Sequence, residues 1–174
     1  MADLPSLSLA EWIVLTLLDE ERRHGFAVAA LTAEDGDVGR AWHVPRPIVY
    51  RAADRLVELG LVRVESTEAG RRGPQRSILA TTPAGRTATR GWLRRPVAHV
   101  RDMRSELLVK LALRQRRGIG PADLVTAQRK AFAPVQASLE RQRHAEADFG
   151  RVLATWRVEN VRAAIRFLDE ISPQ

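Results

Sequence analysis

Arginines concentrate in two short stretches of this chain. Arg46, Arg51 and Arg55 lie within ten residues together with Pro47 and Tyr50, and Arg71, Arg72 and Arg76 lie in the Gly-containing segment EAGRRGPQR (68–76). Guanidinium forks meet phosphate oxygens and guanine edges two bonds at a time, so this chemistry is anion recognition rather than bond breaking. The charge distribution points the same way. The net charge of +7 divides into −6 over 1–39 (two basic, eight acidic), +8 over 40–95 (twelve basic, four acidic) and +5 over 96–174 (fourteen basic, nine acidic). A basic middle behind an acidic start suggests a polyanionic partner docking on that middle.

The residues that would support catalysis are scattered. His24, His43, His99 and His144 form no i, i+4 pair for a metal, and cysteine is absent, which removes thiolate nucleophiles, disulfides and Cys-based zinc sites. Neither a G-x-x-x-x-G-K-[ST] loop nor a G-x-S-x-G elbow occurs. The acidic runs Asp19-Glu20-Glu21 and Asp169-Glu170 read as solvated charge. The expectation is a non-enzyme that needs neither cofactor nor metal. No apolar run reaches the roughly 20 residues of a membrane span, and the N-terminus carries no secretory pattern. With no cysteine, the reading is a cytoplasmic protein with no membrane partner.

The elements that must carry the arginines follow from periodicity. Leu9, Ile13 and Leu17, with Val14 and Leu18 beside them, form a helix opened by a Ser8/Glu11 capping box. Glu20 to Arg23 reads as a solvated break, and a second helix runs from His24-Gly25-Phe26 to about Leu31. Residues 33–39 (AEDGDVG) read as a loop. A third helix is expected to begin at Pro47, where a missing N–H costs nothing, because a proline disfavours helical dihedrals at Arg46 before it. Its apolar stripe is Ile48, Ala52, Leu56 and Leu59, and Gly60 ends it. The opposite face shows Arg46, Pro47, Tyr50, Arg51, Asp54 and Arg55. Residues 61–67 alternate in the manner of a strand, 76–81 form a return strand, and Thr82-Pro83 caps a fourth helix reaching Leu93.

Three helices followed by a hairpin with a basic tip make a winged helix-turn-helix. In that plan the third helix enters the major groove of double-stranded DNA and the hairpin meets flanking phosphates. The expected DNA-binding residues are therefore Arg46, Pro47, Tyr50, Arg51 and Arg55 on the helix, with Arg71, Arg72 and Arg76 on the wing. The rest of the chain is helical in pattern: a helix through Met103–Leu113, a long one from Pro121 past Phe149, and one over Leu153–Ile171. The expected architecture is mainly α with a small β-hairpin. Residues 1–95 form the DNA-binding domain and 96–174 a second, helical domain. Two further readings keep the same fold, a protein-interaction module and a nonspecific nucleoid-binding protein.

Leu9–Leu18, His24-Gly25-Phe26, Ile48-Val49-Tyr50-Arg51 with Leu56, Leu59-Gly60-Leu61-Val62 and Thr82-Pro83-Ala84-Gly85-Arg86 resemble, in order and spacing, the signatures of the PadR family of transcriptional regulators. The resemblance covers 7–93 and extends more loosely through 106–113 and the final helix. It implies a homodimeric repressor on a pseudo-palindromic operator, released by a small hydrophobic or aromatic effector, and dimerised through C-terminal helices. Leu107, Leu111, Trp156, Phe167, Leu168 and Ile171 are the apolar candidates for that interface. Trp92, Phe132, Phe149 and Trp156 are large enough to line an effector site. The chain departs from the family pattern at Pro45-Arg46-Pro47, where Ser or Thr usually caps the recognition helix. It also departs at Phe26, where Tyr is usual.

Overall fold

The computed structural model describes residues 6–68 and 76–172. Chain contacts divide it into two compact units, Met1–Leu93 with Val109–Arg117, and Arg94–Leu108 with Gly118–Gln174.

The first unit is built around α1 (Leu9–Glu20). Its capping box forms as read: Ser8 Oγ accepts from the Glu11 N–H at 3.3 Å, and Glu11 Oε2 accepts from the Ser8 N–H at 2.6 Å. Every residue from Ile13 to Leu18 is buried, so α1 is covered on all sides rather than on one face. Each such apolar side chain stabilises by about 1.5–3 kcal/mol. The cover comes from α2 (Gly25–Leu31), α3 (Arg46–Glu58), the strands and α4 (Pro83–Arg94).

β2 (Val62–Glu68) and β3 (Arg76–Thr81) pair antiparallel, from Val62 opposite Thr81 to Glu68 opposite Arg76, with a register shift between Val64 and Ser66. Gly60 adopts φ +67°, the left-handed turn that releases the chain from α3 into β2. Thr82 caps α4 as its type predicts, its Oγ1 accepting from the Gly85 N–H at 3.2 Å.

Two expectations for this unit are corrected. The supposed solvated break contains a third strand, β1 (Arg23–His24), which pairs with β3 and closes a sheet of order β1-β3-β2. The acidic end of α1 is not solvated either. Asp19 and Glu20 are largely buried, Asp19 against Arg117 at 2.8 Å and Glu20 against Arg116 at 3.1 Å, and Arg116 also pairs with Asp37. Those arginines belong to the last turn of α5 (Glu106–Arg116) and the residue after it.

Because Val109 and Leu113 join the first unit's core, 109–117 lies with the first unit, where a boundary at residue 95 had put it in the second. Arg114 donates to the Leu93 carbonyl at 3.1 Å and Lys110 Nζ lies 4.9 Å from the Trp92 ring, which itself stacks on Trp12 at 5.2 Å.

In the second unit, a 3-10 turn (Val100–Arg104) precedes α5, so the helix expected from Met103 begins at Glu106. α6 (Ala122–Ala145) pairs with α7 (Asp148–Glu170). They run antiparallel, with Arg162 on Glu140 and Arg129 on Asp169, each at 2.9 Å. Ala154, Val158, Val161, Ala164 and Leu168 form the buried stripe of α7. α6 stops four residues short of Phe149, which belongs to α7. The break sits at Glu146-Ala147, where no Pro or Gly marks it. Gln128, fully buried, clamps Val97 in both directions, its Oε1 accepting from the Val97 N–H at 2.7 Å and its Nε2 donating to the Val97 carbonyl at 3.0 Å. No described helix is long and apolar enough to cross a membrane.

Candidate nucleic-acid interface

The start of α3 is held by the segment before it. Thr32, the C-cap of α2, is buried and ties back to Val44: its carbonyl accepts from the Val44 N–H at 3.0 Å, and its Oγ1 donates to the Val44 carbonyl at 3.3 Å. The helix then begins one residue earlier than expected, at Arg46, with Pro45 as N-cap and Pro47 at the second position. The Pro45 carbonyl accepts from the Ile48 and Val49 N–H groups at 2.8 and 3.2 Å, which draws Arg46 into the first turn despite the proline after it. No side chain caps this end, and Pro47 brings no N–H. An anion at this terminus would therefore be met by side chains more than by backbone donors.

The buried face of α3 is Val49, Ala52, Ala53 and Leu56. It is turned from the expected stripe, since Ile48 and Leu59 are only partly buried. The turn decides what the helix displays. Arg46, Pro47, Tyr50, Arg51, Asp54, Arg55 and Glu58 are exposed. Arg55 pairs with Glu58 at 3.4 Å, and Asp54 adds a second negative charge to that half of the helix. Arg51 makes no ion pair among the described residues. Positive charge is thus least compensated in the first turn and a half, at Arg46 and Arg51.

Tyr50 leans toward the start of α2. A Cβ on Gly25 would stand 2.8 Å from its ring, so a larger residue there would push the Tyr50 ring aside. His24 caps α2, its Nδ1 accepting from the Ala27 N–H at 3.1 Å, and β1 fixes His24 opposite Ile78 of the wing. Next to it, Phe26 leaves 51% of its surface exposed. The Arg46 guanidinium lies 5.1 Å from the Phe26 ring and 5.6 Å from the Tyr50 ring, and its Nη2 donates to the Tyr50 hydroxyl at 3.5 Å. These residues, with Val57 and Val64, line an open groove of ≈ 730 Å³ between α3 and the sheet. Phe26 was not among the residues expected from the sequence. Its place after His24-Gly25 is plain in the sequence, but nothing local shows that it faces Arg46, twenty residues on.

Arg71 and Arg72 lie outside the described residues, as does the side chain of Arg76, which opens β3. Of the six apolar residues expected at a dimer contact, Trp156 is exposed, while Leu111, Phe167 and Ile171 are partly buried. Leu107 and Leu168 are corrected: both are fully buried within one chain and have no surface to offer a second copy. Trp92 and Phe132, read as possible effector contacts, are likewise buried in the cores. Among the described residues no group of three or more His, Asp or Glu side chains could hold a metal ion.

The fold is a winged helix followed by further helices, and solved structures share it. Bacillus subtilis PadR in complex with operator DNA matches over 94% of this chain and 97% of that chain, with a TM-score of 0.50 and 18% identity. The smu.1604c protein of Streptococcus mutans matches over 92% and 96%, at 0.45 and 13%. The Vibrio cholerae virulence activator AphA matches over 94% and 95%, at 0.39 and 20%. No protein-family model and no curated protein matches the sequence.

Proposed function

We propose that this chain is a PadR-like, sequence-specific DNA-binding transcriptional regulator. It acts as a homodimer that represses from a pseudo-palindromic operator and is released by a small hydrophobic or aromatic effector. The observation that carries DNA binding is the first turn and a half of α3. There Arg46, Tyr50 and Arg51 stand exposed on a winged-helix fold shared with a regulator solved on its operator. Arg46 and Arg51 would read base edges or grip phosphate, and Pro47 would pack against the groove wall. Arg55, paired with Glu58, contributes less. Arg71, Arg72 and Arg76 of the wing would supply phosphate contacts that carry no sequence information.

The homodimer is supported by α7. Phe149, Val152, Leu153 and Trp156 fall at i, i+3, i+4 and i+7, and all are exposed, Phe149 at 75% and Trp156 at 68%. A contiguous apolar stripe of this size on one helix marks an interaction surface. A second α7 is the partner the resemblance implies. Repression and release by an effector rest on that resemblance alone.

The test is a titration of labelled duplex from the region upstream of the protein's own coding sequence against a scrambled duplex, at several salt concentrations. A preference of about 10³-fold or more, with a steep salt slope, establishes a specific regulator. Equal binding to both duplexes favours a nonspecific nucleoid-type protein. No binding at low salt overturns DNA binding and leaves an interaction module.

A further inference from the structure

Arg46 and Phe26 belong to different helices, and their meeting gives the recognition helix a property beyond positive charge. A long guanidinium side chain in water samples many rotamers, and fixing it on a base carries an ordering cost. A phosphate contact tolerates that mobility, because a point charge nearby suffices. A bidentate bond to guanine O6 and N7 does not, because both donors must meet fixed acceptors. Here the guanidinium lies over two rings, at 5.1 and 5.6 Å, one from each helix. Ring attraction holds the cation without consuming its N–H donors. Only Nη2 is drawn toward the Tyr50 hydroxyl, at a long 3.5 Å.

Apart from Arg46, the Phe26 ring meets the His24 ring, tilted at 6.2 Å between centroids. It is half exposed, absent from the core cluster, and at the rim of the groove beside α3. Its own backbone is fixed by the His24 cap and by β1 against β3, so its ring is presented from a rigid base.

We propose that Phe26 is a positioning residue for sequence readout: with Tyr50 it holds the Arg46 guanidinium at the start of α3, so that each half-site carries a guanine whose recognition depends on a ring at position 26. This rests on the DNA-binding reading above and goes further by naming the base and the residue that enforces it.

The experiment is selection and sequencing of bound duplexes from a library with a randomised core of about 20 base pairs, long enough for two half-sites. The full chain is used as wild type, Phe26→Ala, Phe26→Leu, Phe26→Tyr and Arg46→Ala. Wild type is expected to enrich a two-fold symmetric site with one guanine per half that Arg46→Ala loses. Phe26→Ala and Phe26→Leu should weaken the preference at that same position roughly 3- to 30-fold, the range of an exposed to partly desolvated cation–ring contact. Other positions and the salt slope should stay as in wild type, and Phe26→Tyr should retain the preference.

The inference fails if Phe26→Leu reads that guanine as wild type does. It fails equally if the Phe26 variants lose affinity uniformly across sequences, which would mark a structural role. It also fails if Arg46→Ala lowers the salt slope without changing any base preference, which would make Arg46 a phosphate contact. If wild type enriches no sequence at all, the sequence-specific reading falls and takes this one with it; the other three outcomes leave that reading standing.

Discussion

Two exposed surfaces of this molecule are built from opposite chemistry. The start of α3 displays cations cushioned by half-exposed rings, with acidic residues held back to its second half. The start of α7 displays Phe149, Val152, Leu153 and Trp156. The first surface is suited to a partner that is charged and itself well hydrated, and gains from salt-sensitive attraction and fixed donor geometry. The second is suited to a partner that is apolar, and gains from area removed from water. Neither surface is needed to complete the core of its own unit. Buried sets elsewhere do that: Val49, Ala52, Ala53 and Leu56 under α3, and Ala154, Val158, Val161, Ala164 and Leu168 under α7. A helix of this fold thus uses one face for packing and releases the other for a partner, and the residue types on the released face state the partner's chemistry.

Breaking the apolar surface should have the largest effect. Replacing Phe149 and Trp156 together by Asp is expected to raise the dimer dissociation constant about 100-fold or more, since central aromatic anchors each contribute on the order of 2 kcal/mol or above. Sedimentation velocity would read the shift. Both side chains are exposed, so far-UV circular dichroism should remain that of the folded chain. Retention of the dimer would remove α7 from the interface.

Breaking the basic surface should come next. Arg51→Ala is expected to cost about 1–3 kcal/mol of operator affinity, measured by anisotropy. Substituting Arg71 and Arg72 by Ala should lower the slope of log affinity against log salt by about 1 for each phosphate no longer neutralised. A slope unchanged by both replacements would take the wing away from the backbone. Arg55→Ala sharpens the comparison within α3 itself. Its charge is already shared with Glu58, so its effect should be smaller than that of Arg51→Ala, and the reverse order would place the reading face toward the C-terminal half of the helix.

The smallest effect concerns the α6–α7 pair. The Gln136 side chain, donating to Glu140 Oε1 at 3.1 Å, and then Arg162 hold the Glu140 carboxyl below the usual glutamate range. A carboxylate with a depressed folded value stabilises the fold above its unfolded value and loses that contribution as pH falls through the folded one. Thermal melting should therefore show a slightly shallower acid dependence in Glu140→Gln than in wild type. Identical acid profiles would mean that this exposed pair contributes nothing measurable.

Much of the first surface was legible residue by residue. The helical span of α3, its stop at Gly60, the two long strands and the Thr82 cap follow mainly from local preferences, and periodicity reports those directly. The α6–α7 break was not legible, because Glu146-Ala147 carries no residue that ends a helix. The acidic end of α1 was misread for a different reason. Asp19 and Glu20 look solvated until Arg116 and Arg117 arrive, and Glu20 and Arg116 are separated by 96 positions. A charge run has no local mark that distinguishes water from a distant guanidinium.

That difference divides the two sources of information throughout this protein. Residue types and their spacing determined that a basic helix, a hairpin and later helices would form. Local sterics, backbone pairing and two periodicities are sufficient for that. Tertiary structure alone decided that α3 turns Val49 inward and Tyr50 toward Gly25. It also decided that Arg23-His24 completes the sheet, that Leu107 and Leu168 are spent inside one chain, and that Arg46 meets Phe26. Each of those depends on the rotation of one packed element against another. Close packing sets that rotation through many small contacts at once, and no single stretch of sequence contains them.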